Sequence, residues 1–357
     1  LTGVKPVLHL QTQEGYQLRL TANHQLLKVT AQTQKAQYTE WVEAEQLQPG
    51  DRILLHNHRG IQPWGGEGSW EEGWLLGNFV GEGCFAVNDR LAHRAGNLRY
   101  WGETQGAMRE FALAVGQKSL PGFKSRDTDH RQNQYSQISS VCLFDLAHRY
   151  GLKQGEKTIT TIVEQASYDF YRGFLRGLFD ADGSVQRTPL KGVSVRLSQR
   201  SQRNLPLLQA AQRMLLRLGI VSRLYTDRRP EQMKALPDSQ LPNSQQVLAE
   251  YGCKAQHELI ISNDNLPVFQ EIIGFQDPKK AANLLEKLSG YQRNLNRERF
   301  TATIVKLSPA GLEPVYDCTV PGVHRFDANG LVAHNCGEII MSNNHCNLAE
   351  VHLNQID

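Results

Sequence analysis

Over its first 56 residues the chain alternates apolar and polar side chains at a period of two, in the runs VLHLQT, YQLRLT and QLLKVT. That period puts successive side chains on opposite faces, as in half-buried strands, and Gly15 between the first two runs marks a hairpin turn. In EQLQPGDRILL (Glu45 to Leu55) a Pro-Gly turn precedes another short strand. HNHRGIQPWGGEGS (His56 to Ser69) then breaks the pattern with Gly and Pro and reads as a linker. Beyond it, long amphipathic helices alternate with strands as far as about Arg297. From Phe300 short strands return, in TATIVKLS, PVYDCTV and HRFDANGLVAH. The pattern predicts one β unit in two pieces, interrupted by a large α/β insertion.

The insertion contains a repeat. LLGNFVGEG (Leu75 to Gly83) and LRGLFDADG (Leu175 to Gly183) align without gaps. Each carries small residues four apart, Gly77/Gly81 and Gly177/Ala181, which share one helix face and let two backbones approach closely. Each then presents an acid, Glu82 or Asp182, directly before a Gly suited to ending a helix. A carboxylate in a last helical turn faces the negative end of the macrodipole and is disfavoured there. Doing so twice, beside a tight helix contact, makes sense if a cation sits between the acids, and carboxylate oxygens suit Mg²⁺. Downstream, GVSVRLSQR (Gly192 to Arg200) alternates, with Ser194, Arg196, Ser198 and Arg200 on one face. A polar, cationic strand face of this kind fits a DNA major groove. LAHRAGNLRYWG is the counterpart in the first half, with poorer alternation.

Composition changes the picture in two places. The chain of 357 residues carries a net charge of only +3, so as a whole it does not announce a polyanion partner. Between Phe170 and Arg229, however, twelve Lys or Arg face three acids, a basic stretch that reads either as a phosphate-facing surface or as a solvated face. The six cysteines form no CxxC pair or zinc-finger spacing, and their density does not describe a disulfide framework, so a reducing cytoplasm fits best. No apolar run reaches the length of a membrane span.

With both acid-ended helices in place, the region from about Glu71 to Leu288 resembles a LAGLIDADG homing endonuclease carrying both motifs in one chain. The resemblance also covers SQRSQRNLPLLQAAQRMLLRLGIVSRL and HELIISNDNLPVFQEIIGF. It implies two pseudo-symmetric αββαββ halves around the paired helices, and cleavage of a long double-stranded DNA site with divalent metal. Carried over, it makes Glu82 and Asp182 the ligands of Mg²⁺. It also makes Lys157, in GEKTI, the lysine that aids the nucleophilic water. Lys279 or Lys280, in GFQDPKKAANL, would be its partner; each of these lysines reads equally as a surface residue.

The interrupted β unit has chemistry of its own. LTANHQLL holds Thr21 and His24, and VYDCTVPGVHRFDANGLVAHNC closes the second β piece. Together they resemble inteins, the self-splicing elements of the Hint fold shared with hedgehog autoprocessing domains, and the terminal Asn-Cys pair selects the intein. Splicing needs a nucleophile that takes over an acyl group, the role of Cys336. It then needs an Asn that cuts its own backbone by forming a succinimide, the role of Asn335, with His334 to move the proton. The resemblance adds His324 as an aid to Asn cyclisation, Asp317 as the acid between transfer and cleavage, and Thr21 and His24 at the first scissile bond. Splicing requires no cofactor. The opening at Leu1 lies downstream of the block that holds an intein's first nucleophile. The expectation is therefore a truncated element, or one that needs its N-terminal portion in cis or in trans.

CGEIIMSNNHCNLAEVHLNQID (Cys336 to Asp357) resembles the active-site segment of ribonucleotide reductases of the adenosylcobalamin-dependent class. Cys336 would there carry the radical, with Glu338 as its acid/base partner and Cys346 as half of the reducing dithiol. Adenosylcobalamin would serve only the mature host enzyme. The expected division is therefore residues 1–62 and 299–335 for a mainly-β Hint domain, 63–298 for the endonuclease, and 336–357 for the host segment. The expected function is protein splicing plus site-specific DNA cleavage in a cytoplasmic precursor, without a membrane partner. The competing readings are a splicing-defective fragment acting only on DNA, and a reductase fragment with an inert insert.

Overall fold

The fold is taken from a computed structural model, and the structure describes residues 3–88, 93–130, 135–156, 158–188, 192–230, 232–237, 248–290, 295–316, 320 and 323–335. The amino-terminal alternation forms β1 (Gly3–Thr12), β2 (Gln17–Leu20), β3 (Gln25–Gln32), β4 (Gln37–Glu43) and β5 (Arg52–Leu54). Sequence pattern misses β4: QYTEWVE has no buried residue and owes its place to pairing with β3. At the β1–β2 turn Gly15 takes φ +98°, and a Cβ there would lie 2.6 Å from Leu224 Cβ. The turn thus needs glycine for its conformation and also for contact with the insertion.

The insertion runs as two matching series. The first is α1 (Trp70–Glu82), β6 (Gly83–Asn88), β7 (His93–Trp101), α2 (Gln105–Ser119), β8 (Arg126–His130), β9 (Tyr135–Ser140), α3 (Val141–Arg149) and the single turn α4 (Thr161–Glu164). The second is α5 (Tyr168–Asp182), β10 (Gly183–Thr188), β11 (Gly192–Arg200), α6 (Leu205–Arg217), β12 (Arg223–Arg229), β13 (Gln232–Pro237), β14 (Leu248–Cys253), β15 (Gln256–Ser262), α7 (Asn265–Ile272) and α8 (Pro278–Ser289). Their sheets have the same connectivity, β6-β7-β9-β8 and β10-β11-β15-β12, and β13 with β14 forms a separate ribbon. The poorly alternating LAHRAGNLRYWG supplies β7, paired to β6 as β11 is to β10. Its pattern fails at Gly96, where a Cβ would sit 2.8 Å from the Phe144 backbone nitrogen. Backbone packs there where a side chain would otherwise mark the face.

After the insertion come β16 (Thr301–Val315), β17 (Arg325–Ala328) and β18 (Leu331–His334). They join the first five strands in one eight-stranded sheet, ordered β17-β18-β3-β5-β16-β1-β2 with β4 beside β3. The insertion builds its core from Trp74, Phe170, Phe174, Phe179 and Phe269. The sheet builds another from Leu10, Leu18, Leu26, Ile53, Phe326 and Leu331, which also takes in Leu216 and Val221 from the insertion. Among the described residues no helix is long and apolar enough to cross a membrane.

The expected linker has no regular structure over most of its length, yet it is firmly held. The His58 Nε2 lies 2.6 Å from Asp327 Oδ2, and the His56 ring stacks on His58. Arg59 forks onto both carboxylate oxygens of Asp264, at 2.9 and 3.0 Å. The basic stretch from Phe170 to Arg229 does not form a single face. Arg213 pairs with Glu164, Arg217 bonds the Tyr171 hydroxyl, Arg228 pairs with Glu258, and Arg223 reaches Glu14 in the β sheet.

Candidate functional site

The paired acids are brought together by helix packing at backbone contact. Each helix is started by a serine: Ser69 Oγ accepts from Glu72 N–H in a reciprocal capping box, and Ser167 Oγ accepts from Phe170 N–H. A Cβ at Gly77 would lie 2.0 Å from the Phe174 carbonyl oxygen, and one at Gly177 would lie 2.2 Å from that of Trp74. Gly73 and Gly173, one turn earlier, meet Phe170 and Trp70 in the same way, at 2.3 and 2.0 Å. At the far end Gly81 faces Ala181, and its missing Cβ would lie 3.6 Å from Asp182 Oδ2. The small-residue face is thus three turns long on both helices, and it ends with Glu82 and Asp182 side by side.

Gly83 and Gly183 stand directly after the helix ends, as expected. They do not end their helices in the left-handed conformation: φ is −85° and −78°, ordinary extended backbone that leads straight into β6 and β10. Glycine is needed because a Cβ would lie 2.4 Å from the Phe79 carbonyl oxygen and 2.3 Å from that of Phe179.

Lysine and polar partners surround the acids. Lys280 is half-buried over the end of α5, where its Nζ donates to the carbonyls of Phe179, Asp180 and Ala181. Burial lowers its pKa, while Asp180, Asp277, Asp182 and Glu82 hold the charge in place. Lys279 instead makes an exposed pair with Glu103 at 2.8 Å. Of the two candidate lysines, Lys280 is therefore the one at the site, and its ammonium answers the helix dipole that the acids aggravate. Gln199 on β11 donates from Nε2 to Asp182 Oδ2 at 2.6 Å and is steadied by Asn204 at 3.2 Å.

Asp180, just ahead of Asp182 in the repeat, is buried and accepts from Trp74 Nε1 and from the backbone N–H groups of Gln276 and Asp277. Burial pushes its carboxyl up to about 6 against those bonds. A cavity of about 290 Å³ opens beside these groups, lined by Glu82, Asp180, Tyr100, Asn78 and Lys280. Two polar atoms at this cavity, the Tyr100 hydroxyl and Asn78 Oδ1, are buried without a hydrogen-bond partner among the described residues. Among those residues no group of three or more His, Cys, Asp or Glu side chains could hold a metal. Two carboxylates with orphaned polar atoms nearby suit Mg²⁺, which keeps several waters and takes few protein ligands.

On β11 the expected face is realised in part. Val193, Val195 and Leu197 enter the core, and Ser194, Arg196, Ser198 and Arg200 point the other way. Ser194 is itself buried, and Arg196 is held by Ser194 Oγ at 3.1 Å and Glu258 at 3.5 Å. Lys157 lies outside the described residues.

A second cluster gathers at the end of β18. The pair Ala333–Leu26 sets an antiparallel register that, extended two residues, brings Asn335 level with His24. His24 and Thr21 are buried in one turn, closed by His24 N–H donating to the Thr21 carbonyl at 3.1 Å. The His334 ring stands edge-on to Trp41 at 4.9 Å. Asn335 is buried; its N–H donates to the His324 carbonyl at 3.2 Å and its Nδ2 to the Val320 carbonyl at 3.0 Å. Its Oδ1 has no partner among the described residues. His324 therefore touches Asn335 through its backbone, from a left-handed position (φ +53°), with its side chain exposed. Asp317, Cys336, Glu338 and Cys346 lie outside the described residues.

The sequence profile of a LAGLIDADG-like domain matches residues 169–274, the span from the start of α5 to the end of α7. The chain is 25% identical over 351 residues to NrdEB, the alpha polypeptide of ribonucleoside-diphosphate reductase in Bacillus subtilis, covering 94% of this chain and 30% of that protein. It is 26% identical to the replicative DNA helicase DnaB of Rhodothermus marinus, again over 94% of this chain and 40% of the helicase. With a DNA gyrase polypeptide of Mycobacterium gordonae it is 23% identical, over 94% of this chain and 67% of the gyrase. The chain thus spans about a third of the reductase. Among solved structures it is similar to I-DmoI in complex with DNA and Ca (TM-score 0.36, 14% identity, 61% of this chain and 97% of that one). It is also similar to the homing endonuclease I-WcaI bound to its DNA recognition sequence (TM-score 0.36, 15% identity, 63% and 88%).

Proposed function

We propose that this chain is a self-splicing element whose insertion is a metal-dependent, site-specific DNA endonuclease. The observation that carries the endonuclease reading is the meeting of α1 and α5 at backbone contact, which brings the two acid-bearing helix ends together, with Glu82 lining an open cavity there. Glu82 and Asp182 would hold the Mg²⁺, which when bound stabilises charge on a phosphate and eases loss of a proton from water. Gln199 fixes the orientation of the Asp182 carboxylate, so that its lone pairs point where the helix crossing sends them. Lys280 keeps positive charge near both acids at the carbonyl end of α5. Ser194, Arg196, Ser198 and Arg200 would contact DNA on the outward face of β11. Lys157 would aid the attacking water.

The splicing reading is supported by the single sheet built from both chain pieces, and by Asn335 held buried level with His24. Residues 1–62 and 299–335 would form the Hint-type unit, 63–298 the endonuclease, and 336–357 the start of a host protein. An alignment over 94% of the chain is found with each of a reductase, a helicase and a gyrase. A segment common to three such different proteins belongs to none of their activities, which fits a mobile insert. Asn335 would cyclise onto its own carbonyl with His334 moving the proton. Thr21 and His24 would act at the upstream junction, Asp317 and His324 between the steps, and Cys336 would be the acyl acceptor. In the released host, Cys336, Glu338 and Cys346 would serve a reductase.

Incubation with Mg²⁺ and DNA spanning the uninterrupted host gene is expected to give double-strand cutting. Asp182→Asn should bind that DNA without cutting it, and cutting by this variant overturns the ligand assignment. Release of the tail after Asn335 should stop in Asn335→Ala; continued release overturns the splicing reading.

A further inference from the structure

A second cavity lies far from the paired acids, where the linkers of the insertion cross the β sheet. It measures about 380 Å³ and is lined by Lys35, Arg59, Arg297, Arg299 and Arg325, with His56 at its wall and Glu298 as its one acid. Glu298 offsets at most one of these charges and is held by neutral donors rather than by the cations. Its Oε1 accepts from the backbone N–H groups of Arg299 and Phe300, at 2.9 and 3.1 Å, and its Oε2 from Asn265 Nδ2 at 3.0 Å. Arg59 is committed to Asp264. Lys35, Arg297, Arg299 and Arg325 form no ion pair among the described residues. Four cations from one chain crossing and two hairpins therefore converge on one concavity, which is costly by mutual repulsion unless an anion neutralises them.

The position of this cavity says which anion. Arg59 ties its wall to Asp264, which follows the end of β15 at Ser262. Ser262 pairs with Ser194, at the opposite end of β11 from Gln199, which bonds Asp182 from the inward face. The five steps from Ser194 to Gln199 span about 17 Å at roughly 3.3 Å per residue, or about five base-pair steps. A duplex lying along the outward face of β11, starting from the acids, arrives at this cavity.

We propose that the cleft lined by Lys35, Arg297, Arg299 and Arg325 binds the phosphodiester backbone of duplex DNA, as an outer contact supplied jointly by the β unit and the insertion. This rests on the endonuclease reading. Such contacts add affinity and fix register and carry no base information. Each phosphate neutralised contributes about 0.9 to the slope of log affinity against log salt.

The test is fluorescence anisotropy of a labelled duplex containing the cleavage site with the full chain, in EDTA so that nothing is cut, over a series of salt concentrations. Arg297→Gln/Arg299→Gln/Arg325→Gln is expected to lower the slope by roughly 2 to 3 and to weaken binding at low salt by more than tenfold. Lys at the same three positions should restore the slope, which separates lost charge from lost structure. A charge-matched control, Lys5→Gln/Lys153→Gln/Lys306→Gln, should leave the slope within about 1 of the wild type. An unchanged slope in the Gln variant, as expected of a cleft that takes only small anions, overturns this proposal and leaves the endonuclease reading intact. So does an equal loss in the control. Wild-type protein that binds no duplex overturns the endonuclease reading itself.

Discussion

Replacing Gly77 by Ala adds one methyl group to α1, and its effect follows from the helix crossing. A new Cβ would sit 2.0 Å from the Phe174 carbonyl oxygen and 2.8 Å from the Phe174 carbonyl carbon. Both are backbone atoms of α5, so no side chain can swing aside. To reach even a tight contact of about 3 Å the helices must part by about 1 Å, a gap that forfeits a quarter to a half of each dispersion contact along the seam. The seam includes Gly73, Gly81, Gly173 and Gly177, all in equally close contact, so the loss is shared along three turns. Overpacking of this kind costs about 3 kcal/mol or somewhat more, and the better helix propensity of Ala returns about 1 kcal/mol. The net expectation is a destabilisation of about 2 kcal/mol, or a fall in thermal midpoint of about 4–8 °C for a unit of this size.

Gly106→Ala is the matching control. Gly106 lies in α2, where a Cβ meets nothing within 4 Å, so only the propensity gain remains, about 0.5–1 kcal/mol. The same chemical change should therefore lower the calorimetric midpoint of the full chain at one helical glycine and raise it at the other. A midpoint unchanged or raised in Gly77→Ala would show that α1 and α5 do not meet at backbone contact. The placement of Glu82 beside Asp182 would fall with it.

Acid should destabilise the β unit in two stages. Burial, and His58 beside it, hold His56 down to about 4 from 6.5, so its contribution is complete above pH 6.5 and lost as pH falls towards 4; His56→Gln should flatten that fall in thermal midpoint. Asp327, held down to about 2 chiefly by its bond to His58 against burial, contributes about 2 kcal/mol above pH 3.8 that is lost towards pH 2; a midpoint indifferent to pH across both windows refutes the pair. Gln199→Leu should weaken Mg²⁺ dependence of DNA cutting about 10–100-fold, read as a shift in the half-saturating metal concentration, and an unshifted titration removes Gln199 from the site. Lys280→Met should lower the thermal midpoint by the equivalent of about 1–3 kcal/mol, because the α5 carbonyls lose a charged donor; an unchanged midpoint would show that water replaces the ammonium there.

The paired acids are legible in the sequence because their signal is local and doubled: small residues at a spacing of four, then an acid and a Gly, twice at the same offsets. Gln199 carries no such signal. It reaches Asp182 only because β10 turns back on β11, a contact made by tertiary pairing across seventeen residues. Asp180 is visible as a departure from symmetry, since Val80 stands at the equivalent place, but only the fold supplies the donors that make an acid tolerable there. The choice between Lys279 and Lys280 is one of helical phase, which adjacent residues in sequence cannot reveal and α8 decides. Strand β7 is disguised by Gly96, and β4 by having no buried face at all. The glycines after the acids mark the helix ends correctly, though in extended backbone, because the chain enters a strand at once.

The insertion is, in topological terms, an enlarged hairpin connection. The strands it leaves and re-enters, β5 and β16, pair directly, with Leu54 opposite Thr301. The sheet itself therefore fixes the two ends of the insertion about 5 Å apart, and the entropy of closing so long a connection grows only slowly with its length. This explains how one sheet can be assembled from pieces separated by residues 55–300. It does not explain the contacts beyond the crossing, which a flexible tether would lack. Glu14, beside the β1–β2 turn, accepts from Gln212, Leu224, Arg223 and Thr303, and so bonds to α6, β12 and β16 together. At the β17–β18 turn Gly330 (φ +94°) leaves a Cβ-sized gap filled by Leu216 of α6. Arg59 locks the outgoing linker to α7, and His58 beside it locks the same linker to Asp327 in the terminal hairpin that carries His334 and Asn335. One linker thus bonds the insertion to the hairpin that carries His334 and Asn335, through two adjacent side chains.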